Sequence, residues 1–217
     1  MSLLTRTAIS IGRGQRKLRD DRVFVVAAED TYAPEQYFEH LPLPRVKVVV
    51  LPTPKNSGLS SPAHVVDRLK NAFAGVSQKR QVQAGDEFWV CLDTDHHMND
   101  SHLKGTLQAL THARQAGFEL AISNPCFELW LLMHHEEVAP GTVYANGEAV
   151  EGALKSKLGG YNKTSIRPGM FPLSAVPDAI RRARALEVAP DDPDGYWPEK
   201  TGTRMYRLLE RALQGRA

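Results

Sequence analysis

Short apolar runs alternate with segments of helical period through the first part of the chain. The first run, Val23-Phe24-Val25-Val26-Ala27-Ala28, is continuous rather than alternating, as in a strand buried on both faces of a parallel sheet. It stops on an acid, Glu29. Residues 32–41 then place Tyr37, Phe38 and Leu41 on one side of a helix with Pro34 in its first turn, and Pro42 and Pro44 end it. A second strand is predicted over 46–51, followed by a loop rich in Pro, Ser and Gly. Val65, Val66, Leu69, Ala72 and Phe73 mark the apolar stripe of a helix running to about residue 74. The third strand, residues 87–92, runs straight into Asp93-Thr94-Asp95. Leu103, Leu107, Leu110 and Ala113 make the third helix, with Gly117 where a C-terminal cap belongs. A fourth strand over 118–122 feeds Ser123-Asn124-Pro125 and the strongly apolar segment 126–134. Four strands alternating with helices over short connections predict an α/β domain, a parallel sheet flanked by helices on both faces.

From Pro140 the pattern changes. Residues 149–158, 174–188 and 203–213 have helical period, and Gly/Pro-rich stretches separate them. The expected organisation is a basic lead-in over 1–22, an α/β domain over 23–139, and a helical C-terminal extension over 140–217 packed on it. The 217 residues carry 27 Lys+Arg against 25 Asp+Glu, a formal charge of +2, which argues against a surface devoted wholly to polyanions but not against a local basic patch. No apolar run approaches the roughly 20 residues of a membrane helix. Met1 to Arg22 lacks a sustained apolar core followed by a cleavage site, so a cytoplasmic protein is expected. Cys91 and Cys126 lie in apolar runs without zinc-ligand spacing and read as buried reduced thiols.

In an open parallel sheet, ligands bind beyond the carboxyl ends of the strands. Glu29 occupies that position after the first strand, Asp93 and Asp95 after the third. Such a group suits Mg²⁺ or Mn²⁺, which take one or two carboxylates together with water and phosphate oxygens. Metal-assisted phosphoryl chemistry follows, with Glu29 as general base or further ligand. Each acid taken singly is equally a helix cap, and an isolated DxD also occurs in haloacid-type phosphatases and glycosyltransferases; the haloacid pair, however, usually follows the first strand.

Other candidates carry paired readings. Glu128, in the first turn of an apolar helix, needs a partner, which is either a capping contact or a metal or basic catalytic group. Asn124 is a helix cap or a phosphate-orienting group. His96 adjoins the DxD and would shuttle protons or bind metal, while His134-His135 read as solvent or phosphate contacts rather than a zinc site. Arg13, Arg16, Lys17 and Arg19 form one basic cluster; Lys155, Lys157, Lys163 and Arg167 flank Gly159-Gly160-Tyr161-Asn162 as another, either a solvated face or a nucleic-acid contact. Arg204 and Arg207 would close over the site or pair with local acids.

An acid after strand one and DxD after strand three resembles the layout of the TOPRIM domain of topoisomerases, bacterial primases and overcoming-lysogenization-defect nucleases. More closely, the chain resembles the RloB family of TOPRIM-like proteins from restriction and phage-defence neighbourhoods. Residues 25–29 through Tyr37-Phe38, the segment Val90-Cys91-Leu92-Asp93-Thr94-Asp95, the run from Ala121 to His134, and Thr203 to Glu210 carry the resemblance. Where family members usually continue past the first acid with a glycine, a second acid and Thr-Glu-Pro, this chain reads Asp30-Thr31-Tyr32-Ala33-Pro34.

The resemblance implies a TOPRIM-like fold and a Mg²⁺- or Mn²⁺-dependent nuclease or phosphodiesterase. Asp93, Asp95 and Glu29 would hold metal, Glu29, Glu128 and His96 would act in catalysis, and Asn124, Lys163, Arg167 and Arg204 would meet phosphate. The chain has no GxxxxGK[ST] phosphate loop, so ATP hydrolysis would fall to a partner ATPase, which RloB genomic neighbourhoods imply. RNA or DNA is the expected nucleic-acid substrate. A non-catalytic metal- or nucleotide-binding adaptor, and a small-molecule phosphatase, are the other functions compatible with the residues.

Overall fold

The computed structural model describes residues 22–79, 82–95, 100–187 and 195–214; the side chains of residues 79, 100 and 101 are not among what it describes. His96, His97 and the basic cluster from Arg13 to Arg19 therefore lie outside the described residues.

Strands β1 (Arg22–Ala28), β2 (Val46–Leu51), β3 (Glu87–Asp93) and β4 (Glu119–Asn124) alternate with helices α1 (Ala33–Glu39), α2 (Pro62–Lys79), α3 (Asp100–Gln115) and α4 (Glu128–Met133), as the apolar pattern predicts. Helices α5 (Gly147–Leu158), α6 (Val176–Leu186) and α7 (Met205–Leu213) follow, with a 3₁₀ turn at Leu173–Ala175 leading into α6. The sheet runs β2-β1-β3-β4-β5, its first four strands parallel. Its fifth, β5 (Gly202–Thr203), pairs antiparallel with β4. Two residues cannot show an alternation, so β5 has no signature in the sequence.

Period-two geometry explains why the first strand needs a continuous apolar run. Phe24, Val26 and Ala28 enter one core, with Trp89, Cys91 and Ala121 of the neighbouring strands. Val23, Val25 and Ala27 enter the other, with Phe88, Val90, Leu92, Leu120 and Ile122. Helices α2 and α3 cover the second face, while α1 and α4 to α7 share a single core on the first. Burying each such side chain contributes about 1.5–3 kcal/mol, so both coats of helices are held chiefly by apolar contact.

Helix α4 is buried all round, including Glu128. At its far end His134 is core rather than a solvent or phosphate contact, correcting the sequence reading. Its Nε2 lies 3.1 Å from the Tyr37 hydroxyl, between Trp130 and Phe171. Burial pushes its pKa down to about 3, with the charges of His135 and Arg182 adding, so it is neutral in the folded protein. Cys91 and Cys126 are buried free thiols, as expected. No helix among the described residues is long and apolar enough to cross a membrane.

Candidate functional site

Strand order reverses between β1 and β3: the chain leaves β1 outward to β2, then returns across it to lay down β3. Ligand crevices in open α/β sheets form at such a point, beyond the carboxyl ends. A cavity of about 480 Å³ opens there. Glu29 and Asp30 from the end of β1, Asp93 and Asp95 from the end of β3, and Glu128 from the start of α4 line it.

These acids are in electrostatic contact as well as in one place. A Glu29 carboxylate oxygen accepts the Asp93 backbone N–H at 3.2 Å. Burial, then the like charges of Glu29, Glu128, Asp95 and Asp30, push Asp93 well above the usual carboxylate range. Burial, and then Asp30, also raise Glu128. One of its partners is of the capping kind expected, its own backbone N–H at the start of α4; the Tyr161 hydroxyl also donates to it at 3.3 Å, and the Cys126 thiol adds a side-chain hydrogen bond. Burial followed by the charge of Glu128 raises Tyr161, so this phenol remains a donor.

Helix α5 supplies a wall that has no counterpart among the predicted site residues. Asn146 caps the helix, its side chain accepting from Ala149 N–H at 3.0 Å, and Gly147 N–H donates to Asp95 Oδ2 at 3.1 Å. Glu148 and Glu151, one turn apart, add two more carboxylates to the lining. The sequence signals here are Asn-Gly before a helical run and the i, i+3 acids, both generic enough to read as an ordinary capped surface helix. A side chain at 147 has no room: a Cβ there would lie 2.8 Å from Asp95 Oδ2 and 3.3 Å from Cys126 Cβ. Gly147→Ala is therefore expected to displace the Asp95 carboxylate while lowering stability by only ~1–2 kcal/mol; were Asp95 a divalent-ion ligand, Mn²⁺ binding would weaken about tenfold or more. A urea melt beside calorimetric titration with Mn²⁺ reads both quantities; a loss well above 2 kcal/mol would refute the account of Gly147.

Of the predicted phosphate contacts, one reaches the cavity. Lys163 lines it, with Nζ 3.3 Å from Asp30 Oδ2. Burial pulls its pKa down, but Asp30, Glu128 and Glu151 outweigh that and hold it raised. Asn124 neither caps α4 nor faces the cavity; its amide donates to the carbonyls of Pro198 and Glu199 at 2.9 and 3.3 Å. Arg167 is exposed and lies outside the lining. Arg204 is 1% exposed and paired with Glu187 at 2.6 Å, so it is an interior ion pair rather than a closing arm. The basic side chains flanking residues 159–162 lie on a solvated face, where Lys155 pairs with Glu151 and Lys157 with Glu136, each at 3.2 Å; Tyr161 is buried and offers no stacking face.

Among the described residues, no three His, Cys, Asp or Glu side chains form a ready-made metal cage. A structural zinc site would require one. Mg²⁺ would not, because it keeps several waters and is usually held by one or two carboxylates plus substrate phosphates. An all-oxygen donor set short of positive charge fits that ion class. A family model described as RloB-like protein matches residues 24–211, most of the chain. No curated protein and no solved structure matches it.

Proposed function

We propose that this chain, which belongs to the RloB-like protein family, is a Mg²⁺- or Mn²⁺-dependent phosphodiester hydrolase of TOPRIM type, acting on RNA or DNA in anti-phage defence. The observation that carries the reading is the contact of Glu29 with the Asp93 amide at the switch point, with Asp93 driven up by burial and then by the surrounding carboxylates. A site that binds a divalent cation ahead of a phosphate concentrates negative charge before the cation arrives, and this cavity has acids on several walls. Asp93 and Asp95, with Glu29, would hold the ion, which supplies charge neutralisation on the phosphate.

The remaining groups have roles that follow from their surroundings. Glu128, raised by burial, would take the proton of an attacking water as that water's oxygen bonds to phosphorus. The bond from phosphorus to the leaving oxygen then breaks, and the proton can be returned to that oxygen. Tyr161 holds the Glu128 carboxylate through its hydroxyl and restricts its rotation. Lys163 offers the lining's basic side chain to a phosphate oxygen. With acids on every wall and so few bases, the pocket itself would attract a polyanion poorly, so a nucleic acid would need the cation and basic contacts beyond the pocket. The absence of a phosphate-binding glycine loop supports a separate ATPase partner for any ATP-driven step.

Purified protein incubated with mixed RNA and DNA tests this. Cleavage that requires Mg²⁺ or Mn²⁺ and disappears in Asp93→Ala/Asp95→Ala is the expected result. Divalent-ion binding without cleavage, alone or with the neighbouring ATPase, would identify an adaptor instead, and turnover of a small phosphate ester alone would identify a phosphatase.

A further inference from the structure

We infer that the Lys163 ammonium stands where a second divalent cation would otherwise sit, so that this pocket holds one Mg²⁺ or Mn²⁺ rather than two. The inference rests on the metal-dependent reading above and concerns how many ions that site takes. Paired-metal hydrolases hold their ions about 3.5–4 Å apart between shared carboxylates. The acids here share one field, since Asp30 and Glu128 act on both Asp93 and Lys163. Glu29, Asp93 and Asp95 lie at the ends of the two central strands, and towards α4 and α5 the charges of Asp30, Glu128 and Glu151 act on the Lys163 ammonium. That side of the pocket thus already contains a positive charge, 3.3 Å from Asp30. It is the only basic side chain among the described residues lining the cavity.

The Lys163 side chain is 46% exposed, but the backbone beneath it is braced. The Gln36 side-chain amide spans the loop, donating to the Lys163 carbonyl and accepting from Ile166 N–H, both at 2.8 Å. His40 contacts the Ile166 carbonyl at 3.1 Å. Asn162 accepts from Thr164 N–H and hydroxyl at 2.9 Å, and Tyr161 anchors the loop's start on Glu128. Six contacts, from two helices and the loop itself, hold one segment whose lysine side chain ends beside Asp30. That is the arrangement of a built-in counter-ion, and a divalent cation entering beside it meets repulsion as well as competition for Asp30 and Glu128.

Calorimetric titration of the full chain with MnCl₂, together with electron paramagnetic resonance of the bound ion, tests the inference without relying on cleavage. Wild type is expected to take one Mn²⁺ with a mononuclear signal, and Lys163→Arg to do the same. Lys163→Gln should take a second Mn²⁺ at least about tenfold tighter than wild type does, giving an exchange-coupled signal. Gln36→Leu, which leaves the pocket lining intact and only frees the loop, should move in the same direction. Two ions in wild type, lost in Asp93→Asn, would overturn the inference and leave the metal site standing. Identical stoichiometry and affinity in wild type and Lys163→Gln would overturn it as well. No Mn²⁺ bound, or binding indifferent to Asp93→Asn, would overturn the metal-site reading and this inference with it.

Discussion

Asp93→Asn is expected to make the protein more stable and to abolish metal-dependent cleavage. Burial and the charges of Glu29, Glu128, Asp95 and Asp30 all oppose ionisation of Asp93, so folding at neutral pH forces a charge into an unfavourable place. Asparagine keeps the shape and removes the charge. Relief of one such charge amounts to ~1–2 kcal/mol, or roughly a 2–8 °C rise in Tm for a chain of this size. The pH dependence has a definite sign. With its folded pKa above the unfolded value, Asp93 binds more proton in the folded state through that interval, so its contribution to stability falls as pH rises from about 4. The advantage of Asp93→Asn over wild type should accordingly grow from pH 4 towards pH 8. Adding Mg²⁺ or Mn²⁺ should reverse the ranking, because ligand binding stabilises only the protein that retains the site. Cleavage should fall by at least about 10²-fold. Thermal melts at several pH values, with and without Mn²⁺, read the first effect, and strand cleavage reads the second. A variant less stable than wild type at pH 8 without metal would show that these acids do not repel one another as the geometry implies.

The same acids show how far the sequence carried the site. Glu29, Asp93 and Asp95 are legible because each ends an apolar run, and in a parallel sheet the ends of adjacent runs must share an edge. Glu128 is legible because a carboxylate in a helix that is apolar on every side calls for a partner. Which partner it finds is another matter. Tyr161 lies 33 residues away, Gly147 lies 52 from Asp95, and Lys163 lies 133 from Asp30. Hydrophobic period fixes which face of a helix is buried, but it does not say which loop that helix carries to which strand end. Helix α5 reads as amphipathic wherever it is placed, so Glu148 and Glu151 carry no mark of facing a cavity. Asn124 and Arg204 fail for a related reason. Both lie where chemistry is expected, at a strand end and next to the closing helix, and both are consumed by contacts that leave no trace in local pattern, Asn124 with Pro198 and Glu199 and Arg204 with Glu187 and Gly195.

Arg204 yields the largest expected loss of stability. Its guanidinium, 1% exposed, donates through Nε to Glu187 at 2.6 Å and through the terminal nitrogen to the Gly195 carbonyl. Glu187, at the C-terminal cap of α6, also accepts from the Tyr206 hydroxyl at 2.5 Å and from Arg207 at 3.2 Å. The pair therefore joins the end of α6 to the start of α7, and the Arg204 N–H bonded to the Ile122 carbonyl at 2.9 Å ties both to β4. Breaking a buried ion pair by removing one partner costs about 3–5 kcal/mol, mostly because the other charge stays behind unsolvated. Arg204→Met, which preserves volume, should lose that much in urea unfolding. The double variant Arg204→Met/Glu187→Gln should recover much of the loss, since the charge it leaves, Arg207, is partly exposed to water, and the coupling between the two sites should exceed about 1 kcal/mol. Under conditions where Arg204→Met is still folded, its Mn²⁺ affinity should equal that of wild type, because Arg204 is no part of the cavity lining. A phosphate-binding arm would give the opposite pair of results, near-native stability with weakened nucleic-acid binding, and those two measurements decide between the roles.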